Sequence, residues 1–180
     1  MSELHIYDAA NAGVALGHYS GHSAVARQLA QIGARFEHWQ TPQDISAGDS
    51  PDRIIAAYQP DIDRLMASEG YQAVDVISLA ADHPGKVALR QKFLSEHTHA
   101  EDEVRFFVAG RGLFSLHVAD RVYEVLCGKG DLIGVPANTR HWFDMGPEPE
   151  FVAIRLFNNP QGWIAQFTGD PIAERFNRLS

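Results

Sequence analysis

Apolar residues recur at helical spacing along the first half of the chain and alternate in short runs along the second. Val25, Leu29 and Ile32 fall at i, i+4 and i+7, which predicts a helix with Ser23 as N-cap and Gly33 placed to end it. Residues 34–39 alternate as a short strand does. Ser50 followed by Pro51 opens a second helix, because proline at the first helical position has no N–H to forfeit. Ile54, Ile55 and Tyr58 form its apolar stripe. Pro60 must kink or split it, since the ring clashes with the preceding turn, and a continuation through Ile62, Leu65 and Met66 stops at Gly70. Residues 73–79 read as a strand, and 84–94, with Val87, Leu89 and Phe93, as a third helix.

From about His97 the texture changes. Runs at 104–108, 113–118, 122–126, 132–135, 141–143, 151–157 and 163–167 are short and rich in β-branched or aromatic residues. Gly110-Arg111-Gly112, Asp120-Arg121, Gly128-Lys129-Gly130, Pro136-Ala137-Asn138 and Asn158-Asn159-Pro160 separate them as turns. Close, regular strand spacing of this kind predicts an antiparallel sandwich or barrel. The expectation is one domain over residues 1–180, mainly β with N-terminal helices, in which a helical and mixed part, 1–96, packs on the barrel.

Composition narrows the function. At 180 residues, 45% hydrophobic and 21% charged, the chain is ordinary globular material with room for a proper core. Lys and Arg number 15 against 23 Asp and Glu, a formal charge of −8 without a basic cluster, which argues against nucleic acid. No apolar stretch approaches the roughly 20 residues of a membrane span. Met1-Ser2-Glu3-Leu4-His5 lacks the basic and apolar segments of a signal peptide. One cysteine, Cys127, suits a reducing compartment, so a cytoplasmic monomer acting on a small molecule is expected.

The chemistry concentrates in two segments. In His97-Thr98-His99-Ala100-Glu101-Asp102-Glu103, strand alternation puts His97 and His99 on one face, and a bend lets Glu103 rejoin it. The second segment, Gly130 to His141, runs turn, buried strand, turn, histidine. Three imidazoles and a carboxylate suit a divalent ion of the iron, nickel or manganese kind and leave positions open for substrate. His-Thr-His alone is a weak signal, since a strand histidine is usually a wall residue; Glu103, Gly110 and the downstream Gly–Pro–His spacing make it a strong one.

The first segment resembles the cupin motif G-x5-H-x-H-x3,4-E-x6-G through His97, His99, Glu103 and Gly110, with Gln91 in place of the first glycine. The second resembles G-x5-P-x-G-x2-H-x3-N through Gly130, Pro136 and His141, with Asn138 and Met145 departing from it. Asn tolerates the left-handed backbone a turn glycine supplies, so the Asn138 change is mild. Both motifs lie within residues 97–170, which implies a cupin (jelly-roll) β-barrel. Residues 96–106, 135–146, Ile154-Arg155-Leu156-Phe157 and Gly162-Trp163-Ile164-Ala165, with upstream stretches from about Phe36, resemble acireductone dioxygenases of the bacterial type.

That resemblance implies a place in methionine salvage. The substrate would be 1,2-dihydroxy-3-keto-5-methylthiopentene, with O2 as cosubstrate. Fe(II) would give formate and 4-methylthio-2-oxobutanoate; Ni(II) would give formate, CO and 3-methylthiopropionate. His97, His99, Glu103 and His141 would hold one Fe(II) or Ni(II) per chain.

Strand parity extends the site. Arg105, two beyond Glu103, points into the barrel, where an enediolate oxygen would partner it; a salt bridge with Glu101 or Asp102 is the structural alternative. Phe143, two beyond His141, lines the same pocket or fills the core. Arg155 interrupts an apolar run and faces either the pocket or solvent. Asp102 is a candidate base for a substrate hydroxyl, with a merely solvated loop carboxylate as the alternative. Phe93 and Trp163 wall the methylthio end unless they belong to the core. His117 reads as barrel wall, and His5, His18, His22, His38 and His83 as surface. Another metal-dependent cupin enzyme, dioxygenase or isomerase, and a non-catalytic cupin sensor are the rival readings.

Overall fold

The longest strand, β6 (Glu103–Val118), runs through both faces of the β-structure and ties them together. A computed structural model describes residues 1–159, 161 and 163–180. In chain order around β6 come β1 (Glu3–Asp8), β2 (Asn11–Ser20), α1 (His22–Ala30), β3 (Arg35–His38), α2 (Pro51–Ala57), α3 (Gln59–Glu69), β4 (Ala73–Leu79), α4 (Lys86–Leu94) and β5 (His97–Thr98). After it come β7 (Arg121–Gly128), β8 (Asp131–Val135), β9 (Arg140–Asp144), β10 (Phe151–Phe157), β11 (Gln166–Phe167) and a 3₁₀ turn, Pro171–Arg175. The second half of β6 pairs with β7 and β9 in the order β11-β5-β9-β6-β7-β1-β2. Its first half pairs with β10 and β8, extended by β4 and β3. Every pairing is antiparallel, and the result is the mainly β jelly-roll barrel with flanking helices that the sequence predicts.

Three apolar clusters hold the layers together. Phe107, Phe114, Phe143, Phe151 and Ile133 fill the space between the two faces. Val104, Phe106, Val108, Ile154 and Leu156 point outward from β6 and β10 and meet Ile54, Tyr58, Ile62 and Leu65 of α2 and α3. The first half of β6 is therefore buried on both sides, which is why it reads as a continuous apolar run and not as an alternating one. Tyr7, Val122, Trp142, Ile172 and Phe176 close the opposite side.

The structure corrects several expectations. Gly110-Arg111-Gly112 is no turn but the corner at which β6 passes from one face to the other. A side chain at Gly110, which has φ +69°, would lie 1.8 Å from the Glu150 carbonyl oxygen, and one at Gly112 would lie 2.3 Å from the Phe143 ring. Only glycine admits both approaches. The N-terminal part supplies more strand than expected: the β1–β2 hairpin adds two strands, with β1 paired along β7. Gly21, not Ser23, precedes α1. Ser50 caps α2 as expected, accepting the Arg53 N–H, and the helix breaks at Tyr58 ahead of Pro60. The expected strand 163–167 shrinks to Gln166–Phe167. Pro160 of the last turn and Gly162 lie outside the described residues.

Candidate active site

His97 of β5 stands directly across from His141 of β9, and His141 across from Leu116 of β6. His99 follows β5, and Glu103 opens β6. All four side chains are buried. The coordinating nitrogens of His97, His99 and His141 lie within 4.8 Å of one another. Each ring is oriented from behind through Nδ1, which donates to the carbonyl of Ser95 (2.7 Å), Ile164 (3.0 Å) and Thr139 (2.8 Å) respectively. That bond places the proton on Nδ1 and turns the Nε2 lone pair inward, as a backbone acceptor behind the ring does for metal-binding imidazoles.

The inward atoms carry the test of fit. His99 Nε2, His141 Nε2 and Glu103 Oε2 are buried without a hydrogen-bond partner. His99 Nε2 stands 3.1 Å from Glu103 Oε2. With Nδ1 already donating, that contact sets two lone pairs against each other, and a cation between them removes the conflict. Burial, opposed in part by the backbone bond to Ser95, lowers the His97 pKa to about 4. Burial and the neighbouring His97 lower that of His141 to about 3. Both rings are thus neutral at neutral pH. Burial alone would raise Glu103, but the Arg105 guanidinium, helped by His99, outweighs it and holds the carboxyl well below the usual range. Three imidazole nitrogens and one carboxylate fit a borderline divalent ion.

Beside these groups opens a cavity of about 520 Å³. Two arginines on its wall belong to one row of residues: Asp75 on β4, itself outside the lining, faces Arg155 on β10, which faces Arg105 on β6. Asp75 binds Arg155 through two bonds of 2.8 and 2.5 Å. Arg105 Nε donates to Glu103 Oε1 at 2.5 Å, so its partner is Glu103 and neither Glu101 nor Asp102. Arg105 Nη1 is buried without an acceptor, and Arg105 lines the cavity. A fixed, dry donor of this kind suits an anionic oxygen.

The remaining expected residues divide. Phe93 and Trp163 line the cavity with Leu79, Ile164 and Phe167, and Trp163 is 51% exposed at its mouth. Phe143 does not reach the cavity wall. Its parity is inward, but it lies a layer deeper, packed on Phe93, Phe107, Phe114 and Phe151, with the Arg105 guanidinium 5.2 Å from its ring centre. Asp102 is corrected outright: it is exposed in a separate groove with Arg35 and Tyr71, and its carboxylate accepts the Ala137 N–H at 2.7 Å. That bond fastens the turn before His141 and holds the Asp102 carboxylate outside the cavity lining. Asn138 in the same turn has φ 63°, the left-handed backbone foreseen for it.

His117 is no ligand. Its Nδ1 pairs with Glu96 at 2.6 Å, and Glu96 also accepts the Thr168 hydroxyl. Cys127 is core. His5 and His18 stack face to face on the β1–β2 hairpin, away from the cavity. Several lining residues fall outside the set expected from the sequence, His83 and Lys92 among them. His83 was assigned to the surface, and Lys92 was passed over although it shares the 3.6-residue stripe of Leu89 and Phe93.

Known proteins are similar to this chain over most of its length. The profile of the ARD/ARD′ family matches residues 4–165. An acireductone dioxygenase of Alcanivorax borkumensis is 62% identical over 179 residues, 99% of both chains. One of Klebsiella pneumoniae is 57% identical over 180 residues, the whole of both. Among solved structures, the Bacillus anthracis acireductone dioxygenase with a cadmium ion in its active centre superposes with a TM-score of 0.77 at 30% identity, covering 93% of this chain and 98% of its own. With the family profile matched over residues 4–165, the fold matched over 93% of the chain and a buried three-histidine, one-carboxylate cluster at its centre, the chain belongs to the ARD/ARD′ family.

Proposed function

We propose that the protein is a metal-dependent dioxygenase that cleaves 1,2-dihydroxy-3-keto-5-methylthiopentene with O2, with one Fe(II) or Ni(II) held by His97, His99, Glu103 and His141. The observation that carries this reading is the convergence of unpartnered lone pairs from His99, His141 and Glu103 beside the unpartnered Nη1 of Arg105. The bound ion supplies Lewis acidity and a template for the oxygens of the enediolate. Arg105 holds a substrate oxygen from the side; its Nε, fixed by Glu103, sets the fork's direction. Arg155 is locked by Asp75 and bounds the same wall. Phe93, Leu79 and Trp163 receive the methylthioethyl end and exclude water from the reacting carbons. Phe143 supports Phe93 and Arg105 from beneath.

The same reading treats the chain as one domain working in the cytosol as a monomer, on small molecules alone. It is supported by the acidic balance and the single buried thiol. No helix among the described residues is long and apolar enough to cross a membrane. Product analysis tests the function. The Fe(II)-loaded protein should release formate and 4-methylthio-2-oxobutanoate, and the Ni(II)-loaded protein should release CO as well as formate and 3-methylthiopropionate. Identical products from both loadings would contradict the metal-dependent branch.

A further inference from the structure

The cavity mouth holds a cation that nothing in the site consumes. Helix α4 carries three basic residues toward its neighbours, and two are committed: Lys86 binds Glu148 and the Ala81 carbonyl, and Arg90 binds Asp144 through both carboxylate oxygens. Lys92 has no ion-pair partner among the described residues, though it is exposed and lines the cavity with Leu89, one turn before it, and with Phe93. The two lining guanidiniums are bound, Arg105 to Glu103 and Arg155 to Asp75. No carboxylate lines the cavity among the described residues. His83, which also lines the cavity, accepts the Gly85 N–H on Nδ1. The local charge is therefore opposite to that of the chain, which is −8.

An enediol conjugated to a ketone is ionised at neutral pH and approaches as a monoanion. A chain of net negative charge repels it, and a free cation at the rim reverses that within a Debye length of about 10 Å at 0.1 M salt. We infer that Lys92 is the residue that draws the anionic substrate to the mouth and holds it as it enters. The inference rests on the proposed dioxygenase reading for the identity of the anion. It assigns Lys92 to binding, whereas Arg105, deep and desolvated, acts on the oxygens at the metal centre.

The test compares wild-type, Lys92→Gln and Lys92→Arg proteins, each loaded with one divalent ion. With acireductone and saturating O2, kcat/KM of Lys92→Gln should fall about three- to tenfold at low ionic strength, while kcat falls less than twofold. The gap should close as salt approaches about 1 M, where the Debye length is about 3 Å. Lys92→Arg should recover most of the loss, and all three proteins should bind the same amount of metal. In parallel, anaerobic calorimetry of the Zn(II)-loaded proteins with ascorbate, a monoanionic enediol, should show Kd raised by a similar factor in Lys92→Gln alone. Unchanged kcat/KM and unchanged ascorbate affinity in Lys92→Gln would overturn the inference, as would an equal loss in kcat or a loss of metal. If wild-type protein binds ascorbate through Lys92 but consumes no acireductone with either ion, the dioxygenase reading fails and the anion site stands. If it turns over normally without dependence on Lys92, only the inference fails.

Discussion

Replacing Arg105 with Met asks whether a cation completes the charge of the centre. Arg105 and Glu103 are each 1% exposed and joined at 2.5 Å. Met fills a similar volume without charge and leaves Glu103 as an uncompensated buried carboxylate. Breaking a buried pair from one side costs about 3–5 kcal/mol. For a domain of this size, each kcal/mol moves Tm by about 2–4 °C, so the metal-free variant should melt about 6–20 °C below metal-free wild type. A divalent ion against Glu103 Oε2 supplies the missing positive charge, so with one equivalent bound the gap should shrink to less than half. Adding Glu103→Gln to the variant should recover part of the metal-free loss, because no orphaned charge remains. Thermal unfolding by circular dichroism, with chelator and with metal, measures all of these. A gap of the same size in both states would remove Glu103 from the ligand set, and a metal-free gap below about 3 °C would contradict the buried pair itself.

Other consequences follow from the same geometry. His99→Ala and His141→Ala should each lose tightly held metal and turnover, as measured by elemental analysis after dialysis; retention of one ion per chain with full activity would show a different ligand set. Because burial depresses the His97 pKa from 6.5 to about 4, the unfolded chain binds that proton first. Metal-free stability is then fully present above about pH 6.5 and is lost as pH falls toward 4, by on the order of 3 kcal/mol from His97. Urea titrations of chelated protein at pH 7, 5.5 and 4.5 check this, and a flat profile would contradict the buried neutral rings. Gly110→Ala drives a methyl into the Glu150 carbonyl at positive φ and should cost about 4 kcal/mol or more in the same assay. A loss below about 1 kcal/mol would show that the corner of β6 is drawn wrongly.

The candidate ligand cluster was legible because it depends on short-range geometry. Strand parity and two turns place His97, His99, Glu103 and His141, and those turns are written in Gly, Pro and Asn. Depth was not legible. Phe143 shares the face of His141, but whether an inward residue meets the cavity or the layer beneath depends on how far the barrel extends, a non-local matter. Asp102 sits beside the ligands in sequence, yet its direction is set by the Ala137 N–H from a different loop. The β1–β2 hairpin was missed because β2 is an edge strand with Val14 and Leu16 turned to solvent, so its residues carry no core-facing alternation. Its place is fixed by β1, which is fixed in turn by β7, more than a hundred residues away. Lys92 could have been found: the stripe of Leu89 and Phe93 already marked that face of α4, and a cation on an apolar face is a signal in itself.

The most direct test of the central claim is O2 consumption on anaerobically prepared acireductone, comparing protein loaded with one Fe(II) or Ni(II) per chain against the same protein stripped by chelator. Uptake far above spontaneous oxidation in both loaded forms, absent from the stripped form, is the expected result. Uptake no faster than the spontaneous rate in either loaded form, with one ion verified on His97, His99, Glu103 and His141, would contradict it.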